Sequence, residues 1–192
     1  VAATILPDHP LIEADVLARR VCELAAEINV DYAETDRPLS VIIVLKGACF
    51  FAVDLLKGLD VDTRVDFLRA SSYSGMGSSG EVRLHYDITM PIAGTDALLV
   101  EDIVDTGLTA SWLLRHLTSH SPASLRLVTL LDKPAGRRVP VPIDYVGFTI
   151  PDVFVIGYGL DYDEGYRNLP AIFVARSLEP KSCEPKSCEP KS

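Results

Sequence analysis

The chain has 192 residues, 48% hydrophobic and 23% charged, with a formal net charge of −9 at pH 7. This length suits one domain with a real core, and the acidic balance argues against a general nucleic-acid binder, which carries a basic footprint. No apolar run approaches the ~18 residues of a membrane span, and the opening residues lack the basic stretch and apolar core of a signal peptide.

Val rather than Met stands at position 1, as expected of a processed or trimmed start. Residues 12–32 carry Ile12, Val16, Leu24 and Ile28 among alanines at near-helical spacing, which predicts an amphipathic helix packed on the core. Residues 41–45 form a continuous, mostly β-branched run, the mark of a strand buried on both faces. Lys46-Gly47 breaks it, and residues 48–59 predict a helix ended near Gly58. A strand over 63–70 follows. Val82, Leu84, Tyr86 and Ile88 then alternate with polar residues as a half-exposed strand. Buried strands are predicted over 97–100 and 125–131, a helix over 109–117 between them, and shorter strands over 143–148, 153–156 and 172–175. This alternation implies an α/β fold with a mostly parallel sheet covered by helices on both faces, and ligand sites at the strands' C-terminal ends.

Several residues carry no assigned chemistry at this point. Cys22 and Cys49 lie in apolar stretches without metal-ligand spacing and are expected as buried thiols of a reducing, cytoplasmic compartment. His85, His116 and His120 read as surface or internally satisfied histidines, and Trp112 as helix packing. From Glu179 the sequence repeats Glu-Pro-Lys-Ser-Cys, with Cys183 and Cys188 in phase. Such a segment supplies no core, so residues 179–192 are set apart from a domain over 1–178. The repeat resembles an immunoglobulin hinge; an added tag or slippage of a natural repeat accounts for it.

Gly75-Met76-Gly77-Ser78-Ser79-Gly80 fits the Gly-x-Gly-x-x-Gly pattern, but a dinucleotide fingerprint needs a helix to follow, and an alternating strand from Glu81 follows instead. Read as a Walker A loop, it has Glu81 where the lysine belongs. A pliant loop between two strands remains, either a plain hairpin tip or a lid over a reaction that must stay dry.

The most informative segment runs from Leu98 to Ala110. A buried strand delivers Glu101 and Asp102 at its end, then Asp105, then Thr106, Gly107 and Thr109 in a turn that opens a helix. Unpaired N–H groups and a partial positive charge at a helix N-terminus bind phosphate, and the two threonines add hydroxyl donors. Carboxylates beside a phosphate repel it unless they hold a cation or sugar hydroxyls, so the set describes a phosphorylated ribose with Mg2+. A capped helix after an acidic loop is the plain alternative. The Asp-Thr-Gly triplet also occurs in aspartic proteases, but those need paired aspartates in an all-β setting.

Five segments in this order resemble the hypoxanthine-guanine phosphoribosyltransferases, most of all the bacterial ones. They are Val44-Leu45-Lys46-Gly47; Ser72-Tyr73-Ser74-Gly75 with Ser79-Gly80-Glu81-Val82; Glu101 to Thr109; Asp132-Lys133-Pro134; and Ile150 to Pro170. The resemblance implies the type I phosphoribosyltransferase fold, with a small hood and a flexible lid loop. It also implies transfer of phosphoribose from Mg2+-bound phosphoribosyl pyrophosphate to a 6-oxopurine base. Residue by residue, it puts Lys46 and Gly47 in a pyrophosphate loop with a cis peptide before the lysine, and Glu101 and Asp102 at the ribose hydroxyls and metal. Asp105 falls near N7 of the purine, and Thr106, Gly107, Leu108 and Thr109 at the 5′-phosphate. Leu108 occupies a position that is basic in some relatives, and there its backbone N–H serves. Lys133 falls at the exocyclic O6, Phe154 stacked on the base, and Val155 against it through backbone. Asp161 falls at Mg2+, Arg167 at the leaving pyrophosphate, and Ser72 and Tyr73 in the lid. A homodimer or homotetramer is implied, with no nucleic-acid or membrane partner. The rival is a regulator of the same fold that senses phosphoribosyl pyrophosphate and binds nucleic acid.

Overall fold

The strand Leu39–Val44 (β1) is buried along its whole length, and its side chains divide between two cores. Val41 and Ile43 point to one and Ile42 and Val44 to the other, as the two-residue period of a strand requires. In the computed structural model, which describes residues 9–72 and 82–175, β1 is preceded by helix α1 (Ala14–Tyr32) and followed by helix α2 (Cys49–Lys57). The strands β2 (Thr63–Ser72), β3 (Val82–Tyr86) and β4 (Asp96–Val104) come next, then helix α3 (Leu108–Thr118). The strands β5 (Ser124–Asp132), β6 (Tyr145–Thr149), β7 (Val155–Ile156) and β8 (Phe173–Val174) complete the order.

Six strands form one sheet in the order β3-β2-β1-β4-β5-β6, parallel except for β3, which runs antiparallel to β2 at the edge. α1 and α2 bury Leu17, Leu24, Ile28, Phe51 and Leu55 against one face, while α3 buries Leu113 and Leu117 against the other. On α1 the buried stripe is Leu17, Val21, Leu24, Ala25, Ile28 and Tyr32, a helical period that leaves Val16 only half-buried. Arg20 crosses from α1 to donate to the carbonyls of Val146 and Gly147, tying down the edge strand β6. β7 and β8 form a separate two-stranded antiparallel sheet, joined to the N-terminal segment by a bridge between Ile12 and Ile172.

The sequence expectations hold for each element, with shifts at the ends. β4 runs to Val104 rather than Val100, because its ladder with β5 continues through Glu101↔Thr129 and Val104↔Asp132. β3 stops at Tyr86, since Asp66 accepts hydrogen bonds from the backbone of Thr89 and Met90 (2.6 and 2.8 Å) and turns the chain away. One expectation is corrected: Cys22 is exposed and Cys49 half-buried, because both lie off the core stripes of their helices. Tyr73, the glycine-rich segment and the repeat tail lie outside the described residues. No helix among the described residues is long and apolar enough to cross a membrane.

Candidate active site

The chain leaves β1 toward β2 on one side and returns to β4 on the other, so a crevice opens at the C-terminal ends of β1 and β4. Such a switch point is where open α/β sheets take ligands. A cleft of about 370 Å³ lies there, lined by Lys46, Gly47, Glu101, Asp102, Asp161 and Arg167. The Leu45–Lys46 peptide is cis. Gly47 packs so tightly on the end of β4 that a Cβ there would sit 1.5 Å from Asp102 Oδ2.

The electrostatics of the cleft are unusual. Burial and the neighbouring Asp102 charge push the Glu101 carboxyl well above the ordinary carboxylate range. Loss of solvent likewise pushes Asp102 up to about 6, although the Ile103 N–H donates to it. Opposite them, Lys46 Nζ meets Glu164 Oε2 at 2.8 Å. Arg167 meets Asp161 at 2.9 Å and Glu164 at 3.3 Å, and donates to the Gly159 carbonyl at 2.7 Å. Hydrogen bonds from Lys46 and Arg167 hold the Glu164 carboxyl below its usual range. The buried Arg167 Nε has no partner among the described residues. Glu101, Asp102 and Asp161 are oxygen donors only, which fits a hard divalent cation. The two raised carboxyls are groups whose ionised form a cation favours.

Next to this cleft a second hollow, of about 330 Å³, is lined by Glu101, Asp105, Thr106, Gly107, Thr109 and Ala110. Gly107 caps α3 in the left-handed region (φ +81°), no side chain caps the helix, and its first turn holds no acidic residue. The first-turn N–H groups of Thr109 and Ala110 are therefore left to an anion, while the Leu108 N–H donates to Thr106 Oγ1 at 3.4 Å. The carbonyl of Thr106 accepts from the backbone of Arg138 and Val139, which fixes the turn.

On the far side, Lys133 leaves the end of β5 almost fully buried. Its Nζ pairs with Asp105 at 3.0 Å and with Asp152 at 2.9 Å. Burial pulls its pKa down, but the two carboxylates outweigh this and raise it, so the side chain stays a cation. Phe154 is 56% exposed, with its ring edge-on to Tyr162 at 5.9 Å, and Val155 is buried in β7, paired with Val174. Ser72 closes β2, paired with Val82, and Tyr73 lies outside the described residues.

Sequence reasoning missed four participants. Asp152 shares Lys133; Arg137 braces the Asp105 and Val104 carbonyls and pairs with Asp132; Glu164 gathers both cleft cations. Gly136 is the fourth: a Cβ there would sit 2.1 Å from Asp105 Oδ1. Glu164 reads in the sequence only as part of a surface ion network with Asp161 and Arg167, and no local pattern marked the other three.

Comparison with known proteins agrees with this geometry. Residues 12–163 match the family model of the phosphoribosyl transferase domain. The hypoxanthine-guanine phosphoribosyltransferase of Mycobacterium avium is 50% identical over 167 residues, covering 84% of this chain and 82% of that protein. The Bacillus subtilis enzyme of the same name is 46% identical, covering 86% and 92%. A crystal structure of a hypoxanthine-guanine phosphoribosyltransferase from Bacillus anthracis superposes with a TM-score of 0.84 at 41% identity, covering 91% of this chain and all of that one. The likeness extends from sheet order to site sequence, and the chain belongs to the hypoxanthine-guanine phosphoribosyltransferases, with their type I phosphoribosyltransferase fold.

Proposed function

We propose that this chain is a purine-salvage enzyme that transfers the 5-phosphoribosyl group of phosphoribosyl pyrophosphate to hypoxanthine, guanine or both, giving IMP or GMP and pyrophosphate. The observation that carries this reading is the single sheet edge shared by three groups of residues. These are the Lys133–Asp105 pair, the uncapped Thr106–Thr109 turn and the Lys46/Arg167 cleft with its raised carboxyls.

The reaction exchanges one bond at C1′ of the ribose for another. The bond to the pyrophosphate oxygen breaks, the purine N9 bonds to C1′ with inversion, and the transition state is loose and oxocarbenium-like. Lys46 and Arg167 neutralise the charge gathering on the leaving pyrophosphate once its oxygens replace Glu164 and Asp161 as their partners. Glu101 and Asp102 accept from the ribose hydroxyls, and the α3 turn holds the 5′-phosphate. Mg2+, held by Asp161, Glu101 and Asp102, would supply further neutralisation of the pyrophosphate. Asp105 holds or takes the proton at N7 as N9 attacks. Lys133 has three N–H donors, of which two go to Asp105 and Asp152, leaving one for the O6 carbonyl of the base. A cation that only donates selects a carbonyl over an amino group, which accounts for a 6-oxopurine and against adenine. Phe154 stacks on the base, and the backbone of Val155 contacts it. Ser72 and Tyr73 belong to a lid that keeps water from the activated sugar.

Free Cys22 and Cys49 support a reducing, cytoplasmic setting. Exposed Phe50 and Val53, on one side of α2, support assembly into a dimer or tetramer.

The test is to incubate the purified chain with Mg2+, phosphoribosyl pyrophosphate and, separately, hypoxanthine, guanine, xanthine and adenine, and to resolve the products by chromatography. Nucleotide from the oxopurines but not from adenine is expected. No nucleotide from any base, in a folded sample that still binds the sugar pyrophosphate, refutes the reading and favours the regulator.

A further inference from the structure

Away from the cleft, the last turn of α3 comes against the chain leaving β3. His116 lies eight residues into the helix from Leu108, about 12 Å along its axis at ~1.5 Å per residue. His116 Nε2 lies 2.9 and 3.0 Å from the two carboxylate oxygens of Asp87. His120 follows four residues later, in the turn just past the end of α3, and sets its ring edge-on to His116 with centroids 5.1 Å apart. One ligand atom from each of Asp87, His116 and His120 falls within 4.8 Å of the others, and all three residues are half-buried. Trp112, one turn back, stacks on His116 at 5.1 Å and 12° and fixes the plane of that ring. Asp87 is held in turn by the Ile88 N–H at 2.8 Å.

We propose that Asp87, His116 and His120 form a second metal site, remote from the catalytic cleft, for a divalent ion of the Zn2+ or Ni2+ class. Two imidazoles and one carboxylate are the ligands that borderline ions prefer, whereas Mg2+ selects oxygen alone. With ligand atoms about 2.0–2.2 Å from the ion, a tetrahedral site needs them roughly 3.4 Å apart. The Asp87–His116 pair is already within that spacing, and rotation of the His120 ring closes the rest. The Asp87–His116 hydrogen bond accounts for two of the three residues but leaves the His120 imidazole unused among the described residues. On binding, His116 loses the Nε2 proton to solvent and gives its lone pair to the metal, and water completes the coordination. The negative end of the α3 dipole favours a cation there. The ion would clamp the β2–β3 arm to the helix that carries the phosphate turn.

Trp112 is the only tryptophan of the chain, so its emission reports on this locus. The 192-residue chain is titrated with Ni2+ in excess Mg2+, which occupies oxygen-only carboxylates. Saturable quenching of Trp112 is expected. In His120→Gln, which leaves the Trp112–His116 stack intact, the midpoint moves to about tenfold higher Ni2+ or more, while turnover with Mg2+ stays at the wild-type level. Asp87→Asn serves as the second variant, so that a folding defect in one leaves the other decisive. Absence of saturable quenching in the wild type overturns the proposal. So does an equal midpoint in the variants, which would assign the ion to the cysteines or the catalytic carboxylates.

Discussion

Asp105 and Lys133 are 28 positions apart in sequence, yet their side chains meet at 3.0 Å at the ends of two neighbouring strands. The pairing keeps the lysine cationic and leaves Asp105 Oδ1 in the space where Gly136 lacks a side chain. Asp105→Asn removes the group that handles the N7 proton while keeping its shape. Turnover should fall about 100-fold or more with binding of the sugar pyrophosphate largely retained, as steady-state kinetics and calorimetry will read. Lys133→Ala should lose the preference for hypoxanthine over adenine; a preference as strong as wild type would remove Lys133 from base selection. Gly136→Ala should lower kcat without unfolding the protein, because its methyl would displace the Asp105 carboxylate. A circular dichroism spectrum matching wild type alongside full activity would show that the carboxylate has room to move. Asp105 and Lys133 were legible in the sequence as unusual polar residues leaving buried strands. Gly136, Asp152 and Arg137 were not, since their roles exist only through a neighbour brought there by the fold.

At the scale of elements, β4 and α3 together carry the site. The strand is buried on both faces as far as Val100, and its ladder to β5 carries Glu101 and Asp102 out to the sheet edge. The helix is pinned beneath the sheet by Ala110, Leu113 and Leu117, so its N-terminus points into the phosphate hollow. Leu113 is fully buried, and Leu113→Ala should cost about 2–5 kcal/mol of stability in a denaturant titration, from lost transfer energy and the cavity left behind. The apolar runs located each strand and helix because burial on one or two faces leaves a period that can be counted. Element ends moved by a few residues, because ladder partners and caps such as the Asp66 turn set them, and neither leaves a period.

For the molecule as a whole, stability in acid depends on side chains that join distant elements. Asp96, at the start of β4, is buried and accepts from Arg37 Nε (3.0 Å), Thr35 Oγ1 (2.9 Å) and Ser124 Oγ (2.5 Å). Burial pushes its pKa up, but these donors outweigh that and hold it below the usual carboxylate range. A carboxyl depressed on folding stabilises the native state above its unfolded pKa of about 3.9, and that contribution is lost as pH falls through the lower folded value. Asp96→Asn should therefore melt lower near neutral pH and show a flatter loss of Tm below about pH 4. An unchanged slope in thermal melts across that range would mean that other carboxyls carry the acid sensitivity.

The sequence by itself determined the α/β alternation, the buried strands and the acidic, threonine-rich turn at the end of one of them, because burial period and turn chemistry are local properties of the chain. Its family was legible for the same reason: five short motifs stand in a fixed order. Only the tertiary structure decided that β1 and β4 are neighbours, which opens the crevice at their C-terminal ends and packs Gly47 against Asp102. It also decided that Lys133 shares two carboxylates, and that Asp87 meets His116 and His120, which had read as residues without chemistry. These are contacts between segments tens of residues apart. Their energies depend on strand order and helix placement, which no local pattern encodes.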